Sequence, residues 1–176
     1  MLKQILASGA LLVGVGAAVV FVLEQTRSHP DAGHLNPMAP VQTRQSIRIQ
    51  APAEKVWQLL SRVDHWAAWN PDITGPRLNG ALQPGTSFDW HTGGLTIHST
   101  LHTVQPPTAL GWSGPAFGTF AVHHWTLTRH DGYTEVLVEE DMEGWLVSLL
   151  KPMYQKGLNG SIARWLTCLK QAAERP

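Results

Sequence analysis

The stretch His123–Glu140, HHWTLTRHDGYTEVLVEE, decides the fold. Asp131-Gly132 is a two-residue turn of the kind that joins antiparallel strands. A shift of one residue would send the apolar side chains to the opposite face of the sheet, so the alternation predicts a single register. In that register three pairs of residues lie opposite each other: Leu127 with Val136, Trp125 with Val138, and His123 with Glu140.

A second hairpin follows from the same reasoning. Gly93-Gly94 separates Ser87–Thr92 from Leu95–Val104, and both segments alternate apolar and polar residues. The register predicts that Asp89 lies opposite His98 on the outer face of the sheet. On the other face it pairs Trp90 with Ile97 and Phe88 with Ser99.

The remaining segments predict helices around this sheet. Val41–Gln50 alternates as a strand, and Pro52 begins a helix with an apolar face at helical spacing. Trp66 and Trp69 lie in a second short helix that ends at Asn70-Pro71. Residues 111–115 are expected to form a short strand end and a loop.

From Trp145 to Glu174, apolar residues recur every three or four positions, as in one long amphipathic helix that Gly157 and Gly160 would bend. The fold class is therefore α+β, with a long C-terminal helix laid across a curved antiparallel sheet.

Composition excludes several classes of protein. Thirteen basic residues balance thirteen acidic ones, and only 15% of residues are charged, which does not fit a protein that binds nucleic acid. One cysteine excludes an internal disulfide framework and a zinc site built on paired cysteines. No residue pattern calls for a cofactor. All eight tryptophans lie between Trp57 and Trp165.

The first part of the chain differs from the rest. Residues 5–23 carry no charge and, at about 1.5 Å per residue, would form roughly 28 Å of helix, enough to cross a membrane. We interpret residues 1–23 as a membrane anchor, with a cleaved signal sequence as the alternative. Residues 24–40 form a flexible tether, and residues 41–176 form the domain. Lys3 before the span favours a single-pass topology, with the N-terminus cytoplasmic and the domain extracytoplasmic.

His123 and Glu140 are the best candidates for chemistry. Inside a cavity the carboxylate would hold the imidazole in one tautomer, which suits an acid–base group or a hydrogen bond to a ligand. The alternative is a structural pair or one that faces solvent. Trp90, Trp112 and Trp125 are expected to line a pocket. His98, Thr100 and His102 share a strand face, but no third ligand is evident and no metal site is predicted.

The chain resembles the START/polyketide-cyclase-like (SRPBCC) superfamily over about residues 41–174. The resemblance rests on Ile47-x-Ile49-x-Ala51-Pro52-x-Glu54-x-Val56-Trp57, Trp66-x-x-Trp69-Asn70-Pro71, Pro84-Gly85-Thr86-x-Phe88-x-Trp90, Val104-x-Pro106-Pro107, Leu110-Gly111-Trp112-x-Gly114, His124-Trp125-x-Leu127 and Glu139-Glu140-x-x-x-Gly144-Trp145. It implies the helix-grip fold, in which a sheet wraps around the last helix and encloses an apolar cavity. It supplies no universal catalytic motif.

Three hypotheses about function follow. The first is a non-catalytic, membrane-anchored binding or carrier domain for a small hydrophobic ligand, either lipid-like or aromatic. Its ligand-binding residues would be Trp90, Trp112, His123, Trp125 and Glu140. The second is a polyketide cyclase/dehydratase-like enzyme that uses His123 and Glu140 as acid–base groups. The third is an envelope interaction module whose exposed tryptophans dock a protein partner.

Overall fold

The computed structural model describes residues 33–116 and 118–176. The predicted membrane anchor, residues 5–23, and the tether as far as residue 32 lie outside them. No helix in the described part of the chain is long and apolar enough to cross a membrane.

One antiparallel sheet and two C-terminal helices dominate the domain. The described elements are β1 (Val41–Ile49), α1 (Ala53–Ser61), a 3₁₀ helix (Val63–Ala68), β2 (Thr74–Leu78), β3 (Ser87–Thr92), β4 (Leu95–Gln105), β5 (Ala109–Ala116), β6 (Thr119–His130), β7 (Tyr133–Glu143), α2 (Trp145–Leu149) and α3 (Lys151–Ala173). These seven strands form a sheet in the order β1-β7-β6-β5-β4-β3-β2. This confirms the predicted α+β helix-grip fold.

Both predicted hairpin registers are confirmed. In the hairpin β6–β7, His130 pairs with Tyr133, and His123 lies opposite Glu140. In the hairpin β3–β4, Thr92 pairs with Leu95, and Trp90 lies opposite Ile97. The two-residue turns set these registers, and the alternation of apolar residues rules out a slip.

Strand β5 is longer than predicted. The sequence suggested a short strand end and a loop at residues 111–115, yet Ala109–Ala116 pairs with both β4 and β6. Glycines interrupt the alternation of apolar and polar side chains in this segment, so the sequence pattern did not indicate a strand. A Cβ atom at Gly114 would lie 2.1 Å from the carbonyl oxygen of His98, so only glycine allows β4 and β5 to approach this closely.

The C-terminal helix is broken where the sequence predicted continuity. α2 ends at Leu149, and α3 starts at Lys151 with Pro152 in its first turn. Proline has no N–H and clashes with the carbonyl four residues earlier, so the helix is interrupted at Leu150. α3 continues through Gly157 and Gly160, so these glycines do not end the helix.

Aromatic rings join α3 to the sheet. The Trp165 ring on α3 lies 5.2 Å from the Trp66 ring, and the Trp66 ring lies 5.4 Å from the Phe88 ring, measured between centroids. Trp66 is fully buried, and its Nε1 donates a 2.9 Å hydrogen bond to the carbonyl of Leu60. Edge-to-face contacts of this kind stabilise a core beyond the apolar area they bury.

The last residues of the predicted tether pack on the outer face of the sheet. The backbone N–H of Asn36 donates a 2.7 Å hydrogen bond to Oδ2 of Asp141, and its side chain donates to Glu143. Acidic residues that alternate along a strand, as Glu139, Asp141 and Glu143 do, are typical of a solvated face. Asp141 is instead only 2% exposed, and burial raises its pKa to about 6, while the Asn36 N–H opposes the rise.

We predict that Asp141→Asn stabilises the domain at neutral pH. A carboxyl whose pKa rises from 3.8 to about 6 on folding favours the fold when protonated, and that contribution is lost as the pH rises through 6. The neutral amide avoids the loss, so we expect a gain on the order of 2 kcal/mol above pH 6 and little change near pH 4. Urea unfolding across this pH range measures it.

Glu139→Gln is the matched control, because Glu139 pairs with Arg44 at 3.2 Å on the partly exposed outer face. We expect it to change stability by less than about 1 kcal/mol. An Asp141→Asn variant with the same pH dependence as the wild type would contradict the assignment of Asp141.

Candidate functional site

A cavity of about 750 Å³ lies between the sheet and α3. Most of its wall is apolar or aromatic. The sheet contributes Trp90, Ile97, Ser99, Trp112, Gly114, Ala121, His123, Glu140 and Met142, and α3 contributes Met153, Tyr154, Gly157, Leu158, Ser161, Ile162 and Trp165.

Small residues on both walls keep the cavity open. Gly114 and Ala121 lie opposite each other on β5 and β6, and Gly157 and Ser161 lie one turn apart on α3. A Cβ atom built at Gly157 would meet nothing within 4 Å. The space between sheet and helix at this end is therefore open because large side chains are absent, while tryptophans fill the other end.

Apolar side chains surround the mouth of the cavity. Leu95, at the turn between β3 and β4, is 53% exposed, and Met153 near the start of α3 is 60% exposed, yet both line the cavity. Leu149, four positions before Met153, is 70% exposed. Leu95 and Met153, which we call the apolar rim, are apolar side chains that reach from the cavity wall to solvent.

His123 and Glu140 meet on the cavity wall. They lie opposite each other on β6 and β7, and Nδ1 of His123 is 2.5 Å from Oε2 of Glu140. The His123 side chain is 6% exposed, and the Trp112 ring stacks on it at 4.3 Å between centroids with 9° between planes. The imidazole is therefore held at its Nδ1 edge by Glu140 and on one ring face by Trp112.

The second imidazole nitrogen of His123 is free. A carboxylate can only accept, so the proton of a neutral imidazole lies on Nδ1, and Nε2 presents a lone pair. Nε2 is buried and has no hydrogen-bond partner. A buried polar atom without a partner is destabilising unless a ligand or water satisfies it.

The predicted tryptophans divide into two groups. Trp90 and Trp112 line the cavity, but Trp125 does not. The register places Trp125 on the inner face of the sheet. Its pair with Val138, however, lies two residues nearer the hairpin turn than the pair His123–Glu140. At that depth Trp125 is fully buried, with its ring 5.5 Å from that of His123.

Sequence reasoning missed most of the wall, including Trp165 and Ser99. Trp165 contacts six rings at 5.2 to 6.2 Å: Trp66, Trp69, Trp90, Trp112, His123 and Trp125. Its helical spacing from Leu158 and Ile162 gave the signal. Ser99 is buried and accepts a 3.1 Å hydrogen bond from Nε1 of Trp90. The predicted register, which set Ser99 opposite Phe88 on the inner face, already pointed to it.

The other histidines of the described residues lie away from the cavity. His98 bonds to Asp89 at the exposed face, as the register predicted. The rings of His102 and His124 stack on the outer face, where burial lowers the pKa of His102 to about 4. Across residues 33–116 and 118–176, no three His, Cys, Asp or Glu side chains are arranged to hold a metal ion.

A sheet curved around a long helix with an apolar cavity between them defines a helix-grip domain. Residues 40–174 match the family model described as polyketide cyclase / dehydrase and lipid transport, and the chain belongs to that family. The resemblance to the START/polyketide-cyclase-like superfamily is thereby confirmed. No curated protein matches the chain.

Solved structures show the same fold at low sequence identity. A hypothetical protein of Helicobacter pylori superposes with a TM-score of 0.69 at 19% identity, covering 85% of this chain and 100% of its own. An aromatase/cyclase of a Streptomyces species has a TM-score of 0.68 at 16% identity, covering 76% and 93%. A START superfamily protein of Mycobacterium smegmatis has 0.65 at 14% identity, covering 76% and 97%.

We predict that His123 and Glu140 are energetically coupled. Glu140→Met leaves the Nδ1–H group of His123 buried without a partner, and His123→Phe leaves the carboxylate of Glu140 unpaired, so each should destabilise the domain by about 1–3 kcal/mol. The double variant leaves neither group, so its loss should be smaller than the sum. Urea unfolding of all four proteins measures the coupling, and additive losses would contradict the hydrogen bond.

Proposed function

We propose that this protein is a membrane-anchored binding or carrier domain for a small hydrophobic ligand. The observation that carries the proposal is the open, largely apolar cavity of about 750 Å³, with one unsatisfied polar atom on its wall. Cavities of roughly 300–1,000 Å³ with apolar walls and few polar groups are typical ligand sites.

The tryptophan-rich wall favours binding over rapid chemistry on a polar substrate. Trp90, Trp112 and Trp165 present large aromatic surfaces to the cavity. Aromatic side chains provide more apolar contact area than aliphatic ones and pack well against flat or elongated apolar molecules. Family membership supports this function, since the family description includes lipid transport.

The membrane part of the proposal rests on the sequence of residues 5–23 and on the apolar rim. Nineteen uncharged residues are sufficient to span a bilayer. Leu95 and Met153 line the cavity and are exposed. An apolar opening suits a domain that exchanges its ligand with a lipid surface, and we propose that the domain lies on the extracytoplasmic side.

Two glycines of α3 provide the test of ligand binding. Gly157 lines the cavity and Gly160 does not, and a Cβ atom at either would meet nothing within 4 Å. Gly157→Leu should therefore fill the cavity, while Gly160→Leu should not. Both substitutions improve helix propensity by up to about 1 kcal/mol, so neither is expected to unfold the domain.

We expect native mass spectrometry of the purified full-length protein to show a bound apolar species in the wild type and in Gly160→Leu. Its occupancy should fall at least about tenfold in Gly157→Leu, which requires a loss of at least about 1.4 kcal/mol of binding free energy. Equal occupancy in the two leucine variants, or no bound species in any of the three proteins, would overturn the proposed function.

Anchoring is tested on the full chain. We expect the protein to remain with membranes after an alkaline carbonate wash, and a chain lacking residues 1–23 to be released. The intact mass of the wild-type protein separates the two interpretations of this segment. A mature chain that begins near Gly16 or Ala18 would show a cleaved signal sequence instead of an anchor.

A cyclase/dehydratase-like enzyme is the second candidate, and the pair His123–Glu140 is the observation that favours it. A histidine fixed by a carboxylate, with its other nitrogen free inside a cavity, can accept a proton from a bound molecule. The same mass measurement separates this candidate from a carrier. An enzyme would hold a heavier, hydrated species in His123→Asn than in the wild type, whereas a carrier would hold the same species in both.

The interaction-module hypothesis required exposed tryptophans. None of the eight, all of which belong to the described residues, is exposed: seven are buried and Trp145 is half-buried. The tryptophans therefore serve the core and the cavity wall, and we do not propose this function.

A further inference from the structure

We propose that the ligand is electrically neutral and carries a hydroxyl group that donates a hydrogen bond to Nε2 of His123. This inference rests on the proposed function and adds the chemical class of the ligand.

The charge of the cavity wall is the first argument. No lysine or arginine is among the described residues that line the cavity, whereas Asp72 and Glu140 are. Arg164 binds both carboxylate oxygens of Asp72, at 2.6 and 2.7 Å, which neutralises that group. Glu140 is paired with His123, and neither residue brings a fixed positive charge to the cavity wall.

An anionic ligand therefore finds no compensating charge. Moving a carboxylate or phosphate from water into an apolar cavity is strongly unfavourable unless a cation or several donors receive it. A fatty-acid anion with an otherwise suitable chain should be rejected for this reason. A neutral ligand does not incur this cost of burying a charge.

The direction of the hydrogen bonds is the second argument. Nδ1 of His123 donates to Glu140, so the buried and unpartnered Nε2 acts as an acceptor. The ligand group that pairs with Nε2 must therefore be a hydrogen-bond donor. A hydroxyl group supplies one donor at little desolvation penalty, whereas an alkane supplies none. An ammonium group brings a charge and three donors, of which Nε2 can satisfy only one.

Four ligands with the same alkyl chain test the inference: dodecanol, dodecanoate, dodecylamine and dodecane. Each is offered to the purified full-length protein at about pH 8, where the free carboxylate is ionised, and occupancy is read by native mass spectrometry. We expect dodecanol to exceed dodecanoate at least about tenfold, and to exceed dodecane several-fold, as for one buried hydrogen bond.

Two variants test whether His123 is the source of the preference for dodecanol over dodecane. His123→Phe should bind dodecanol and dodecane equally, because the acceptor is gone. His98→Phe is the matched control, since it removes an imidazole that is also paired with a carboxylate but lies on the exposed face. We expect it to keep the preference of the wild type. Thermal unfolding of both variants confirms that they are folded.

The outcomes separate this inference from the proposed function. Equal or stronger binding of dodecanoate, strongest binding of dodecylamine, or a preference for dodecanol that survives in His123→Phe would overturn the inference and leave a hydrophobic carrier intact. If none of the four ligands binds and no apolar species co-purifies, both the inference and the proposed function fail.

Discussion

The packing of Trp165 against the sheet is the contact on which the rest of the structure depends. Its indole joins α3 to rings from the 3₁₀ helix, β3, β5 and β6, so one residue sets the distance between helix and sheet. At this position the indole ring separates α3 from the strands. Where small residues replace the rings, at Gly114, Ala121, Gly157 and Ser161, the same spacing leaves a cavity.

The second constraint is the register of the hairpin β6–β7. The turn at Asp131-Gly132 fixes which residues pair. Seven residues along each strand from the closing pair His130–Tyr133, it brings an imidazole and a carboxylate face to face on the inner side of the sheet. Burying such a pair offers little net stability compared with apolar residues of similar size. Its presence beside the cavity, with one nitrogen left unsatisfied, is therefore better explained by a ligand than by folding.

Local chemistry accounts for what the sequence predicted well. Two-residue glycine turns and alternating strands specify antiparallel pairs without reference to the rest of the chain. Trp90 could therefore be assigned to the inner face in advance, and His123 and Glu140 could be paired with each other, although a solvent-facing pair was left as the alternative. The fold class followed from the order of these elements. The burial of Ser99 was implied by the same register, although a serine in an apolar row gave no reason to select it.

What the sequence could not show depends on contacts between distant segments. Trp125 has the right orientation, but its depth along the hairpin, and hence its place in the core, is set by where α3 crosses the sheet. Asp141 alternates like a solvated residue and is buried only because residues near Asn36 fold back over it. Strand β5 was obscured by Gly114, whose lack of a side chain is required by the neighbouring strand.

The division between a filled end and an open end also has an evolutionary consequence. Substitutions at positions such as Ala121, Gly157 and Ser161 can reshape the ligand space one methylene at a time without disturbing the aromatic packing that holds the helix. Selection for a new ligand can then act on a handful of codons while the architecture persists. A fold retained at 14 to 19% identity among the solved structures described above is what such a separation between scaffold and specificity would produce.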